Sequence, residues 1–476
     1  MTKNVPKGTQ EKGYCVVKKI YRDIRLRLVK ALNVLLMAVP LGFCWYLFYA
    51  EEILLPFYRR GNWAMIVLFV VLYLLFTRVY DALRISTGRI SEMVYSQGLS
   101  LLMADGILFL VLWLLMRRWP NILPALGTLA VQLVLTALWS LFAHKWYFSV
   151  FPPKATAVVY GKRRSMELLI GEYGLEKKFR VCKTLEADVC VRDLSLLEGM
   201  ETVFISDVSS HARNVILKYC VAVGIEVYCI PRIGDIIMSG ARKMHMFHLP
   251  VLRVGRHKAG PDELALKRLF DVLCSALVLL VTSPVFLVTA AAIRLHDGGP
   301  VFYRQDRLTR DGKVFRVLKF RSMRVDAEKD GIARLSTGDK DDRITPVGRI
   351  IRKLRIDELP QLLNILEGSM SVVGPRPERP EIAAQYEREL PEFRLRLQVK
   401  AGLTGYAQVY GKYNTTPYDK LQMDLMYIAN PSFVEDIRII LATVKILFQP
   451  ESTDGVAEGQ TTAQQEEKEK EPVAPR

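Results

Sequence analysis

Four apolar runs crowd the first third of the chain and constrain its fold more than any other feature. They cover roughly Ala31 to Ala50, Trp63 to Phe76, Leu99 to Met116 and Ile122 to Phe142, each close to the ~20 helical residues that cross a hydrocarbon core. Four transmembrane helices are therefore expected within residues 31–150. A mean hydropathy of +0.15 with only 24% charged residues agrees, because a wholly soluble chain of 476 residues carries more charge. The connections set the orientation. Lys3, Lys7, Lys12, Lys18, Lys19, Arg22, Arg25, Arg27 and Lys30 make residues 1–30 a basic segment before the first run, and Arg78, Arg84 and Arg89 follow the second. Glu51 and Glu52 dilute Arg59 and Arg60 after the first run, so the N-terminus and everything after the fourth run are expected on the cytosolic face. No short apolar core with a small-residue cleavage site precedes the first run, so a removable signal peptide is not expected. Asp105, inside the third run, fits either a polar pathway or an acid packed against a neighbour near a helix end; the second is commoner, and a structural role is expected.

The net charge of +17 raises the question of nucleic acid, but the basic residues flank apolar runs, which points to anionic lipid and phosphorylated substrates instead. Seven cysteines form no C-x-x-C pair and lack histidines at metal-binding spacing, and are read as reduced thiols. From about residue 151 to 232 the texture changes to short β-branched runs, ATAVVYG, FRVCKTL, ETVFISDV and IEVYCIP, alternating with helical patterns such as SSHARNVILKYCVAVG. That alternation predicts a small Rossmann-like parallel α/β module. Its first strand ends at Gly161, but GKRRSM supplies no further glycines, so the dinucleotide fingerprint is absent and a structural or regulatory role is expected. Residues 233–262 read as a basic linker, 263–450 as a mixed α/β domain, and 451–476 as a disordered tail rich in Glu, Gln, Thr and Pro.

Residues 269–295, LFDVLCSALVLLVTSPVFLVTAAAIRL, are long enough for a fifth span on hydropathy alone. Charge argues against a crossing: Arg253, Arg256, Lys258, Lys267 and Arg268 lie before the run and Arg294, Arg304, Arg307, Arg310 and Lys313 after it, so both flanks favour the cytosolic face. A re-entrant hairpin satisfies both. Ser283-Pro284 sits at its middle, where proline removes a backbone donor and would break the helix, although a proline in a membrane helix is often only a kink.

Residues 300–449 are dense in phosphate-binding residue types and should hold the chemistry. Lys319 and Arg321 of KFRSM alternate with Phe320 on an expected strand, which places both cations on one face. Ile350, Ile351 and Leu354 share a helical face ringed by Arg349, Arg352, Lys353 and Arg355, a pattern that suits a helix on an anionic membrane and equally a basic helix packed on a core. Asp357-Glu358 opens the next helical run, ELPQLLNILEG, with Pro360 in its first turn. Such a pair commonly just complements the helix dipole. Among arginines, however, a carboxylate stays ionised and can attack phosphorus, and its neighbour can hold the Mg²⁺ that neutralises a diphosphate. Gly374-Pro375-Arg376-Pro377 would form a rigid turn aiming Arg376, with Gly402, Gly405 and Gly411 allowing close backbone approach to a ligand.

Taken in order, KRLFD, Ser283-Pro284, KFRSM, IDELPQL, GPRPE and GLTGYAQV resemble the bacterial sugar transferases, the polyprenyl-phosphate hexose-1-phosphate transferases also called monotopic phosphoglycosyl transferases. Four helices and an α/β module before that region resemble the large form of the family. The resemblance implies a multi-pass protein of the bacterial inner membrane with its α/β module and catalytic domain on the cytoplasmic face. It implies a ping-pong reaction in which Asp357 attacks a UDP-sugar, releases UMP, and passes the sugar phosphate to polyprenyl phosphate, beginning an exopolysaccharide, capsule or O-antigen. It further implies Mg²⁺ on Glu358, phosphate contacts from Arg352 and Arg376, a pocket shaped by Lys319 and Arg321, and a homodimer. Lys412 stands in GKYN where relatives commonly carry arginine, so a two-pronged phosphate contact there is weakened. Two rivals remain: a non-catalytic membrane scaffold, against which the intact Asp-Glu pair weighs, and an inverting glycosyltransferase, which would release UDP.

Overall fold

The computed structural model describes residues 7–58, 60–161, 166, 170–171, 174–256, 260–325, 343–411 and 415–447. The chain divides into two compact units, Met1–Ile230 and Pro231–Arg476.

In the first unit, α1 (Lys7–Cys44) runs on into a π-helical turn at Trp45–Tyr49, and α2 (Arg60–Val79), α3 (Ile90–Met116) and α4 (Ile122–Val150) follow. Each overruns the apolar stretch expected from sequence; residues 7–30 of the basic segment before the first run are the leading part of α1 itself. Helix α3 shows how the bundle is built. Ser96, Gln97 and Ser100 are buried, while Leu102, Leu110 and Leu114 are more than half exposed. Small and polar side chains facing inward, with leucine outward, suit a lipid surround rather than water. Asn33 Nδ2 donates to Gln97 Oε1 (2.9 Å) and Tyr73 OH to Asn33 Oδ1 (2.8 Å), tying α1, α2 and α3 together. Among the described residues five helices, these four and one in the second unit, are long and apolar enough to span a bilayer, and the chain is a membrane protein.

The α/β module follows with β1 (Lys154–Tyr160), β2 (Phe179–Glu186), α5 (Ala187–Arg192), β3 (Thr202–Ser206), α6 (Ser210–Val223) and β4 (Glu226–Cys229). The strands form one parallel sheet in the order β2-β1-β3-β4. Every residue of β3, Thr-Val-Phe-Ile-Ser, is buried, as a strand covered on both faces requires.

The second unit begins where a linker was expected. Residues 233–262 instead contain α7 (Ile233–Ser239), with Ile236 buried in the unit's core, and an antiparallel hairpin of β5 (Arg242–Met246) and β6 (Leu249–Arg253). Their shortness and high charge hide them from a periodicity reading. Then come α8 (Pro261–Asp297), the antiparallel pair β7 (Phe302–Leu308) and β8 (Val314–Phe320), α9 (Pro346–Lys353), α10 (Gln361–Glu367), β9 (Ser371–Val373), α11 (Pro380–Glu389), β10 (Gly402–Thr404), α12 (Tyr406–Tyr410), α13 (Pro417–Ala429) and α14 (Phe433–Leu447). Strands β9 and β10 pair in parallel. Val317, Leu362, Ile365, Met370, Phe393, Leu421, Leu425 and Ile439 meet in one core. The tail from residue 451 lies outside the described residues.

Helix α8 corrects the expected break at Ser283-Pro284. It is one helix through Pro284. Proline leaves the carbonyl of Leu280, four residues back, without its backbone donor, and Ser283 Oγ donates to that same oxygen at 2.8 Å. The lost hydrogen bond is thus replaced inside the turn, and the helix continues. One stripe of α8 rests on the second unit along its length. Arg268 donates to the carbonyls of Ile365 and Leu366 at the C-terminal end of α10 (2.5 and 2.6 Å), and Asp271 Oδ1 accepts from Val372 N (3.0 Å) and Ser371 Oγ (3.1 Å). Farther along, Phe286, Ala290 and Ile293 pack with Phe320 and Ile351. Between these contacts Leu280, Val281, Leu287 and Val288 stay about 70% exposed.

Candidate active site

Asp357 and Glu358 lie in a single 3-10 turn, Ile356–Glu358, between α9 and α10, rather than inside the helix that follows. The turn is set by Arg355, whose φ of 54° puts a non-glycine residue in the left-handed region and reverses the chain after α9. That conformation is uncommon for a residue with a Cβ and is sustained only where surrounding packing enforces it. Here Ile351 of α9 and Leu362 of α10 are each buried on either side.

Glu358 is the hub. Its Oε1 accepts from Lys319 Nζ at 2.8 Å, at the end of β8, and from Arg376 Nη2 at 2.9 Å, in the turn after β9. Its side chain keeps 15% exposure, Lys319 21% and Arg376 45%, so the pairs sit at the mouth of the site rather than in dry interior. Burial alone would raise the Glu358 carboxyl, but Arg376 and Lys319 outweigh it and hold the group below the usual carboxylate range. Asp357 goes the other way. Burial raises it above the aspartate range, the charge of Glu358 adds to this, and Lys319, Arg352 and Arg376 only partly offset it. Two adjacent carboxylates pushed in opposite directions take different roles: one a fixed anion that organises cations, the other a more basic oxygen suited to attack. Sequence placed Asp357, Glu358, Lys319, Arg352 and Arg376 together, and the fold joins all five.

Arg321 is different. Its side chain is 7% exposed and pairs with Asp297 at the end of α8. It therefore ties the chain just past β8 to the apolar helix, and among the described residues its ion pair is with Asp297 rather than with the acid pair. Lys412 lies outside the described residues.

The turn carrying Arg376 is held from beneath by residues that the sequence reading did not assign. Arg396, almost wholly buried, donates through Nη2 to the carbonyl of Arg376 itself (2.9 Å), through Nε to Asp424 Oδ2 (2.9 Å), and lies 3.4 Å from Glu378. Arg307 Nη1 donates to the next carbonyl, Pro377 O, at 3.0 Å. Burial pulls Lys420 below the ordinary lysine value, while Glu378 opposes that shift. Arg396 sits in FRLRLQVK, where alternating Arg and Leu look like a solvated strand face, and only Asp424, 28 positions on, shows that it is internal. The glycines also act differently from expectation. A Cβ on Gly374 would collide with Lys400 O, and Cβ atoms on Gly402 and Gly405 with the backbone of Gly374. They allow close approach of two backbone segments to each other, which seats the Arg376 turn on β10, rather than approach of a ligand.

Among the described residues no three His, Cys, Asp or Glu side chains cluster as a metal site. Two carboxylates still fit Mg²⁺, which binds through one or two of them and keeps waters and substrate phosphate as its other ligands.

Comparison with known proteins agrees with this geometry. The pattern of the family described as "Bacterial sugar transferase" matches residues 262–450. The chain is 36% identical over 235 residues to a UDP-N-acetylgalactosamine-undecaprenyl-phosphate N-acetylgalactosaminephosphotransferase of Aeromonas hydrophila, covering 49% of this chain and 54% of that one. It is 39% identical over 212 residues to a UDP-glucose:undecaprenyl-phosphate glucose-1-phosphate transferase of Escherichia coli, 44% of each chain. A protein of the same description from Caulobacter vibrioides is 41% identical over 187 residues, 38% of this chain and 69% of the relative. The matches span about half the length of the first two relatives. The chain belongs to the bacterial sugar transferase family.

Proposed function

We propose that this protein transfers a hexose 1-phosphate from a UDP-sugar to a polyprenyl phosphate such as undecaprenyl phosphate, releasing UMP, as the first membrane step of an exopolysaccharide, capsule or O-antigen. The observation that carries the reading is the pairing of a more basic Asp357 with a Glu358 pinned between Lys319 and Arg376. In the first half-reaction an Asp357 carboxylate oxygen bonds to the β-phosphorus, the bond from that phosphorus to the oxygen bridging the α-phosphate breaks, and UMP departs with the electron pair. In the second, a polyprenyl phosphate oxygen bonds to the same phosphorus, the Asp357 oxygen leaves, and polyprenyl diphosphate hexose forms. Arg376, 45% exposed, and Arg352 meet the diphosphate charge, and Lys319 keeps Glu358 in place. Mg²⁺ held at Glu358 would neutralise charge on the diphosphate as it departs.

Helix α8 supports a re-entrant placement. Both of its ends, through Arg268 and Ile293, pack on one compact unit, which fits a helix whose two ends lie on the same face of the bilayer. Its exposed apolar middle is then the part in lipid, and the catalytic turn stays at the cytoplasmic surface where both nucleotide-sugar and lipid phosphate reach it. A homodimer is part of the same proposal, drawn from the resemblance to the large form of the family.

The test is nucleotide release by detergent-solubilised protein given polyprenyl phosphate, Mg²⁺ and single UDP-sugars. UMP is expected with one donor. UDP would overturn the reading in favour of a glycosyltransferase, and no release with any donor would favour a scaffold.

A further inference from the structure

The helical bundle of the first unit holds an acid that the proposed reaction does not use. Asp105 of α3 stands roughly 16 Å along the helix from its end at Met116, at ~1.5 Å per residue, and so lies deep within the bilayer. Sequence favoured packing against a neighbour, yet both carboxylate oxygens are buried and, among the described residues, neither has a hydrogen-bond partner. Gln132 Oε1 and Tyr80 OH are also buried without a partner among the described residues, but Asp105 is the acid among them, and the remaining polar groups of the bundle pair with one another or with backbone. Asn33, Tyr73 and Gln97 bond one another, Gln97 Nε2 also reaches Ser140 Oγ (3.3 Å), and Gln132 Nε2 donates to Met37 O (3.0 Å). An acid at this depth costs at least ~2.5 kcal/mol even on lenient insertion scales, and its partners mark function.

Asp105 lines a small cleft of about 50 Å³ to which all four helices contribute, including Trp45, Tyr49, Ile66, Phe109 and Thr128. The π-turn of α1 shapes one wall, the kind of local irregularity that often accompanies a site. The polar tips there are already engaged: Trp45 Nε1 donates to Asn62 Oδ1 (2.9 Å), Tyr49 OH to Asn121 O (2.7 Å) and Thr128 Oγ1 to Pro124 O (2.9 Å). What remains for a ligand is aromatic and aliphatic surface with one carboxyl group. That chemistry repels phosphate, offers too few polar partners for a sugar, and matches a single positive charge on an apolar body.

We infer that this cleft is an intramembrane binding site for an organic ammonium group, with its aliphatic portion lying along α1, α3 and α4 and its charge on Asp105. The shared chemistry has two sources, a free lipophilic amine and the ammonium of an ethanolamine phospholipid.

The experiment titrates the full-length protein in dodecyl maltoside with decylamine, and with decanol as the neutral match, following tryptophan fluorescence. Saturable binding of decylamine, at least tenfold tighter than decanol, is expected. Asp105→Asn, an isosteric change, should weaken it at least tenfold, and Phe109→Leu, which removes a ring but no charge, by a few fold. Displacement of decylamine by added phosphatidylethanolamine would identify the lipid as the source, and its failure to compete would identify a free amine. Equal response to decanol, no saturation, or unchanged binding in folded Asp105→Asn would overturn the inference.

Discussion

Replacing Arg396 with methionine tests whether the buried charges beneath the Arg376 turn support the fold. The side chain of Arg396 is 4% exposed, those of Asp424 and Glu378 are 1% and 17% exposed, and the guanidinium makes its hydrogen bonds to Asp424 and the Arg376 carbonyl at 2.9 Å. Methionine keeps much of the packing against Phe393 but strands Asp424 with no cation as close. Breaking a buried pair from one side costs about 3–5 kcal/mol, much of it the isolation of the remaining charge. At roughly 2–4 °C per kcal/mol for a unit of this size, the transition that unfolds residues 231–476 should fall by ~6–20 °C. Differential scanning fluorimetry of the full-length protein in detergent measures it. Asp424→Leu added to Arg396→Met should recover part of the loss, because an apolar pair needs no counter-charge. A shift below about 2 °C for the single variant would refute the reasoning, as would a double variant worse than the single one.

Asp357→Asn should abolish UMP release while leaving membrane insertion and thermal stability near wild type; near-normal turnover would remove Asp357 from the nucleophile role. Because burial and Glu358 raise Asp357, the acid limb of the pH-rate profile should rise above the ordinary aspartate range near pH 4, and Lys319→Met, which removes a lowering charge, should move that limb upward; a downward move would contradict the electrostatics. Gly374→Ala should cost at least tenfold in turnover and several degrees in thermal stability, since its Cβ meets Lys400 O; unchanged values would mean that the β9–β10 contact does not position Arg376. Single cysteines at Asp262 and His296 should both react with a membrane-impermeant thiol reagent from the cytoplasmic side only, in a background where the native cysteines are replaced; labelling of one from each side would show that α8 crosses.

Much of this architecture is legible along the chain because it is local. Apolar runs of helical length must enter lipid or a core, β-branched runs at the spacing of βα units form a parallel sheet, and an acid pair just ahead of a helix sits in the turn that leads into it. Lys319, Arg352 and Arg376, the cations gathered about the Asp357-Glu358 pair, were legible for a related reason, since they stand in short, ordered motifs. Position within a motif did not show what each cation touches. Arg321 and Lys319 are two residues apart, Lys319 within β8 and Arg321 just past its end, yet one pairs with Asp297 and the other with Glu358. Only the tertiary structure decides such partners, because charge acts through space and the opposing carboxylates come from different elements. The same holds for Arg396, for the glycines that seat one backbone on another, and for Pro284, where the hydroxyl of Ser283 supplies the hydrogen bond whose loss would otherwise end the helix. Residue type and period determine which elements form, while the partner of each buried polar group depends on how the fold brings distant segments together.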